Sequence, residues 1–91
     1  MEHFEIGETV VLSYVCTKAG TAYDPATSTN ITTFTEAGVA DVTSTAMTND
    51  SVGHYHYDYQ SVGKAAGIYR ARVTATDGVL ITITDQVFKL Q

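Results

Sequence analysis

The chain has 91 residues, a length that suits one domain around one core, and we read residues 1–91 as a single unit. Its formal charge is −5, and its five basic residues (Lys18, Lys64, Arg70, Arg72 and Lys89) are scattered, which argues against a nucleic-acid partner because counterion release needs clustered Lys and Arg. No apolar run approaches the ~20 residues of a membrane span, so no membrane insertion is expected, and the acidic start Met1-Glu2-His3-Phe4-Glu5 is not expected to act as a signal peptide.

Helical spacing fails in every window of a dozen residues, whereas period-two alternation is clear, so the expected class is all-β. Strands are expected near residues 3–6, 9–16, 29–35, 39–46, 53–60, 67–76 and 79–90. After a short first strand, Val10, Leu12, Tyr14 and Cys16 share one face of the second. Cys16 is the single cysteine, which excludes an internal disulfide and a cysteine-based zinc cluster; in this apolar run it reads as a small buried hydrophobe. The turns Lys18-Ala19-Gly20 and Tyr23-Asp24-Pro25 follow. The threonine-rich stretch ending at Phe34-Thr35 is expected to contribute least to the core, as an edge or a mobile segment.

Glu36-Ala37-Gly38 and Thr48-Asn49-Asp50-Ser51 bracket the fourth strand. In the sixth, Tyr69, Ala71, Val73 and Ala75 face one way and Arg70, Arg72, Thr74 and Thr76 the other. Asp77-Gly78 then gives the strongest hairpin signal in the chain. In the last strand Val79, Ile81 and Ile83 are odd-numbered, but Phe88 and Leu90 are even. A bulge or break around Asp85-Gln86 is the expected remedy.

The fifth strand reads Gly53-His54-Tyr55-His56-Tyr57-Asp58-Tyr59-Gln60. With the tyrosines inward, His54, His56 and Asp58 point outward about 7 Å apart, close enough for two of them to converge on an ion. A third ligand would have to come from a neighbouring strand, which the scattered arginines make unpromising. A solvated strand face is therefore expected, with no metal and no other cofactor. Asn49, Asp50, Asp77 and Asp85 lack the D-x-D-x-D-G run of a calcium loop and read as turn residues. The carboxylate pairs on offer, Asp41 with Asp50 or Glu5 with Glu8, have no nucleophile elbow or phosphate-cradling loop beside them, so no enzyme is expected. Tyr14 and Tyr69 are expected buried; Tyr23 either packs over the end of the core or stands exposed as a contact residue.

Gly53-His54-Tyr55-His56-Tyr57, Gly67-Ile68-Tyr69-Arg70-Ala71-Arg72-Val73 and the closing Phe88-Lys89-Leu90 form a pattern over nearly the whole chain. It resembles the immunoglobulin-like (E-set type) modules of bacterial, archaeal and phage surface or virion proteins, where G-x-Y-x-Y, G-x-Y-x-V-x-A and F-x-V mark successive core strands. Two departures stand out: Leu90 closes the last motif in place of valine, and the tryptophan common in related phage modules is missing. The resemblance implies an antiparallel immunoglobulin-like β-sandwich of about seven strands. It also implies a non-enzymatic structural or interaction module, in an extracellular or virion setting, whose partner is another protein, another copy of itself or a cell surface. The contact patch is expected in the turns at 20–26 and 47–52, on Tyr23, Asp24, Asn49 and Asp50. The alternative is a ligand-binding module, for carbohydrate on an aromatic platform or for a metal at His54 and His56.

Overall fold

The computed structural model describes residues 2–91, so Met1 of the N-terminal stretch lies outside the described residues. Ten strands follow in chain order among them: β1 (Glu2–Phe4), β2 (Thr9–Val15), β3 (Thr17–Lys18), β4 (Thr21–Ala22), β5 (Ser28–Phe34), β6 (Ala40–Ala46), β7 (Thr48–Ser51), β8 (His54–Gln60), β9 (Gly67–Asp77) and β10 (Leu80–Leu90). One sheet has the order β1-β10-β9-β5-β6, a second has β2-β8-β7, and β3-β4 is a separate small hairpin. The all-β class stands as expected, and each of the seven expected segments overlaps a strand. The count of seven does not stand, because β3, β4 and β7 are additional. Nor is the pairing wholly antiparallel: β1 runs parallel to β10, with Glu2 opposite Phe88 and Phe4 opposite Leu90.

Alternation makes the core. Val10 and Leu12 of β2, Tyr55 and Tyr59 of β8, Ile31 of β5, Tyr69, Ala71 and Val73 of β9, and Phe88 and Leu90 of β10 bury their side chains in one cluster. The two larger sheets meet face to face through rings. Tyr59 of the three-stranded sheet lies 5.5 Å from Phe88 of the five-stranded one, and Phe88 stacks on Tyr69 at 5.6 Å. Each fully buried large apolar side chain contributes about 2–3 kcal/mol, so this aromatic group is a principal reason the sheets stay together. Tyr14 and Tyr57, expected inside, are only partly buried and pack against the edge of the cluster. The Tyr69 hydroxyl donates to the carbonyl of Ala65 at 2.8 Å, which ties the start of β9 to the loop before it.

Two expectations about strands are overturned. The threonine-rich β5 is neither an edge nor a minor contributor. It lies between β9 and β6 and buries Thr29, Ile31 and Thr33. The physical reason is β6, whose pairing with β5 shifts register twice. Beside these shifts the backbone N–H groups of Val42 and Ser44 donate to the hydroxyls of Thr33 and Thr32, both at 3.0 Å. A β-branched side chain carrying an acceptor suits a bulged neighbour.

The second correction concerns β10. No bulge occurs at Asp85-Gln86; the pairing with β9 runs unbroken from Leu80↔Asp77 to Leu90↔Gly67. Because Phe88 and Leu90 are inside, unbroken alternation sends Ile81 and Ile83 outward. The turn is displaced by one residue as well. It consists of Gly78 and Val79, with Gly78 at φ +61°, as a type II′ loop requires at its first central position.

Candidate interaction surface

The turns at 20–26 and 47–52 come together. Beyond the end of β2, the Cys16 amide donates to the Gly53 carbonyl at 2.8 Å, and its carbonyl accepts from the Tyr23 amide at 3.0 Å. Cys16 itself is buried and free. Asp24 then acts as a clasp: its Oδ1 accepts from the Gly53 amide at 2.7 Å, the Tyr55 hydroxyl at 3.2 Å and Asn49 Nδ2 at 3.2 Å. The Gly53 amide is the largest influence holding its carboxyl below the usual carboxylate range, assisted by Tyr55 and Asn49 against the opposing effect of burial. Tyr23 is half-buried, with Lys18 Nζ 5.8 Å from its ring centre. Of the four expected contact residues, Asp24 and Asn49 are thus bonded to each other, and Asp50 is engaged elsewhere.

Asp50 belongs to the histidine face. His54, His56 and Asp58 point away from the core, while Tyr55 and Tyr59 are buried. The register shift between Asn49 and Ser51 in β7 turns Asp50 toward this face. His56 Nδ1 meets both Asp50 carboxylate oxygens at 2.8 Å, and its Nε2 lies 3.7 Å from Asp58. The neighbouring strand β7 therefore supplies a carboxylate to this face and no arginine. Among the described residues no group of three or more His, Cys, Asp or Glu side chains is arranged to hold a metal ion.

The hydrogen bond to Asp50 is the main cause raising the His56 pKa; burial opposes it, and the charges of Asp50 and Asp58 add to it. A raised histidine pKa means stability that is fully present below the unfolded value near 6.5 and is lost as pH rises through the folded value. His56→Gln is therefore expected to be most destabilising relative to wild type near pH 5.5, with the difference shrinking by about pH 8.5. Urea midpoints of both proteins at the two pH values check this. A difference that is constant, or that grows with pH, contradicts the pairing.

At the opposite end of β8 a second network joins the sheets. The Tyr59 hydroxyl donates to Asp41 Oδ2, and Lys64 Nζ donates to Asp41 Oδ1 at 2.8 Å. The Asp41 side chain is only 14% exposed.

The surface feature that alternation alone hid is the free half of β10. Val79, Leu80, Ile81 and Ile83 are 94%, 61%, 62% and 58% exposed. β1 pairs with β10 only from Phe88 onward, which leaves the edge open from Leu80 to Val87. On the inner side, Thr82, Thr84 and Gln86 line an open groove with Ser13, Tyr14 and Val15 of β2 and with Thr17. Gln86 Nε2 crosses it to the Ser13 carbonyl at 3.1 Å. On the outer face, Arg72 holds Asp85 through two bonds of 2.9 and 3.2 Å, and Arg70 lies 4.8 Å from the Phe34 ring centre. Among the described residues no helix is long and apolar enough to cross a membrane.

Comparison of the chain with protein-family models, with curated proteins and with solved structures finds no match.

Proposed function

We propose that this chain is a non-enzymatic interaction module of immunoglobulin-like type, built into a surface or virion assembly, and that it engages a protein through the open half of β10. Two features support the immunoglobulin-like reading. In such sandwiches strands B, E and D oppose strands C, F and G, and the order β2-β8-β7 against β10-β9-β5 follows that scheme. The Tyr69 hydroxyl bonded back to Ala65, near the start of the strand in the F position, has the form of a tyrosine corner.

The interaction reading is carried by one observation: Leu80, Ile81 and Ile83, with Val79 of the turn before them, lie in solvent on a strand whose outer edge has no partner along that stretch. An exposed apolar edge is a template for strand addition, in which backbone bonds give affinity and alternate side chains give selectivity. Hydrogen exchange tests it. In the dilute isolated chain the amides of Ile81, Ile83 and Asp85 are expected to exchange fast, and surface or virion proteins from its source are expected to protect them. Protection confined to the turns at 20–26 and 47–52 would transfer the site there.

A further inference from the structure

Resting on that interaction reading, we infer that the occupant of the β10 edge is a second copy of this chain, paired antiparallel about Thr82. The first argument is the contrast among edges. β6 is broken by register shifts and a positive φ at Ser44, and β7 has four residues, a register shift and Asp50. β1 has three residues, and the β2 edge, seven residues long and unbroken, is crossed by Gln86, which takes the Ser13 carbonyl. Bulges, short length and charge are the devices that keep edges from pairing. From Val79 to Thr84 the chain reads Val-Leu-Ile-Thr-Ile-Thr, with no charge, proline or bulge.

The second argument is backbone geometry. Asp77 and Leu80 close a two-residue loop, so they form a hydrogen-bonded pair, and the even-numbered residues of β10 turn their N–H and C=O groups toward β9. Those of Ile81, Ile83 and Asp85 then face the open edge. Pairing about Thr82 sets Ile81 of one copy opposite Ile83 of the other, twice, so residues with free groups meet residues with free groups. On the inner face Thr82 meets Thr82 and Leu80 meets Thr84.

Charge is the third. Asp85 falls opposite Val79, clear of the second Asp85, and each keeps its own Arg72. A two-fold axis needs a self-complementary patch, and this register supplies one without a like-charge clash. The paired stretch from Val79 to Asp85 is about 23 Å long at 3.3 Å per residue, a small interface, so the dimer is expected to be weak and concentration-dependent.

Sedimentation of the whole chain over about a hundredfold range of concentration reads this directly. The mass should rise from 9.8 kDa toward twice that value. Ile83→Lys should remain monomeric throughout, whereas Val11→Lys, at an exposed position on the other sheet, should dimerise like wild type. Register is tested by oxidation. Thr82→Cys should give a disulfide-linked dimer, because directly opposed Cβ atoms on the axis are within bridging reach, and Thr84→Cys should give far less.

A chain that stays monomeric, with no Thr82→Cys dimer, overturns self-pairing. A dimer that persists in Ile83→Lys overturns it too, by placing the contact on another surface. If the pure chain is monomeric yet its β10 amides are protected by proteins from its source, self-pairing fails and the interaction reading stands. If neither protects them, both fail.

Discussion

Gly53→Ala is expected to lower stability by about 4 kcal/mol, for two independent reasons. Gly53 has φ +77°, a conformation that L side chains rarely adopt. A Cβ there would also lie 2.8 Å from the Cys16 carbonyl oxygen, 2.8 Å from Ala22 Cβ and 2.9 Å from the Tyr23 nitrogen. Two of these are backbone atoms held by their own hydrogen bond, so they have no easy way to retreat. The displaced glycine would also drag its amide from Asp24, loosening the clasp between the two turns.

For a domain of this size, total stability is on the order of 5–14 kcal/mol, and 1 kcal/mol moves Tm by about 4–8 °C. A fall of roughly 15–30 °C should follow. Gly78→Ala is the comparison: φ is +61°, but no atom lies within 4 Å of the added methyl, so only the strain of about 1 kcal/mol remains. Thermal melts of the two variants decide the matter. If they fall equally, the crowding around Cys16 is not what makes Gly53 a glycine.

Asp41→Ala is expected to cost about 3 kcal/mol, because it removes the common acceptor of the Tyr59 hydroxyl and the Lys64 ammonium. Tyr59 is 1% exposed, so its hydroxyl has little water to turn to. Tyr59→Phe should cost less, about 1 kcal/mol, since Asp41 keeps Lys64 and no donor is stranded. Burial pushes the Asp41 pKa up, but the hydrogen bonds from Lys64 and Tyr59 and the charge of Lys64 outweigh it and hold it below its ordinary value.

A lowered carboxyl pKa gives stability that is present above the unfolded value near 3.9 and is lost as pH falls through the folded value. Wild type should therefore lose its advantage over Asp41→Ala in acid. For Tyr59, burial is the largest cause raising the phenol, followed by its bond to Asp41 and that group's charge. A raised phenol favours the fold below pH about 10, and that stabilisation is lost at higher pH. Urea unfolding of wild type and Asp41→Ala between about pH 3 and pH 7 checks the acid limb. An advantage that persists unchanged at the lowest pH would show that Asp41 is not the acceptor.

Much of the fold is legible in the chain because alternation and turn chemistry are local. Val10 and Leu12 in β2, and Tyr69, Ala71, Val73 and Ala75 in β9, declare their inner face through their neighbours alone. The outward placing of His54, His56 and Asp58 follows from the same rule once the tyrosines are assigned inward. Asp24 and Asn49 were legible only as turn residues. Their hydrogen bond joins positions 25 apart in sequence, and no local pattern announces it. Ser61, wholly buried and bonded to the Gly7 amide and the Glu8 carbonyl, carries no signal in the chain either.

By itself the sequence determined the all-β class, the placing of seven strand segments and the buried face of most of them. These depend on side-chain alternation and on residues suited to turns, which act within a few positions. Tertiary structure decided three things: that β5 is interior, that β1 runs parallel to β10, and that β10 continues without a bulge and leaves Ile81 and Ile83 in water. Each depends on which strand lies alongside and where that strand ends. A run of isoleucine and threonine looks the same whether a sheet covers it or stops short of it.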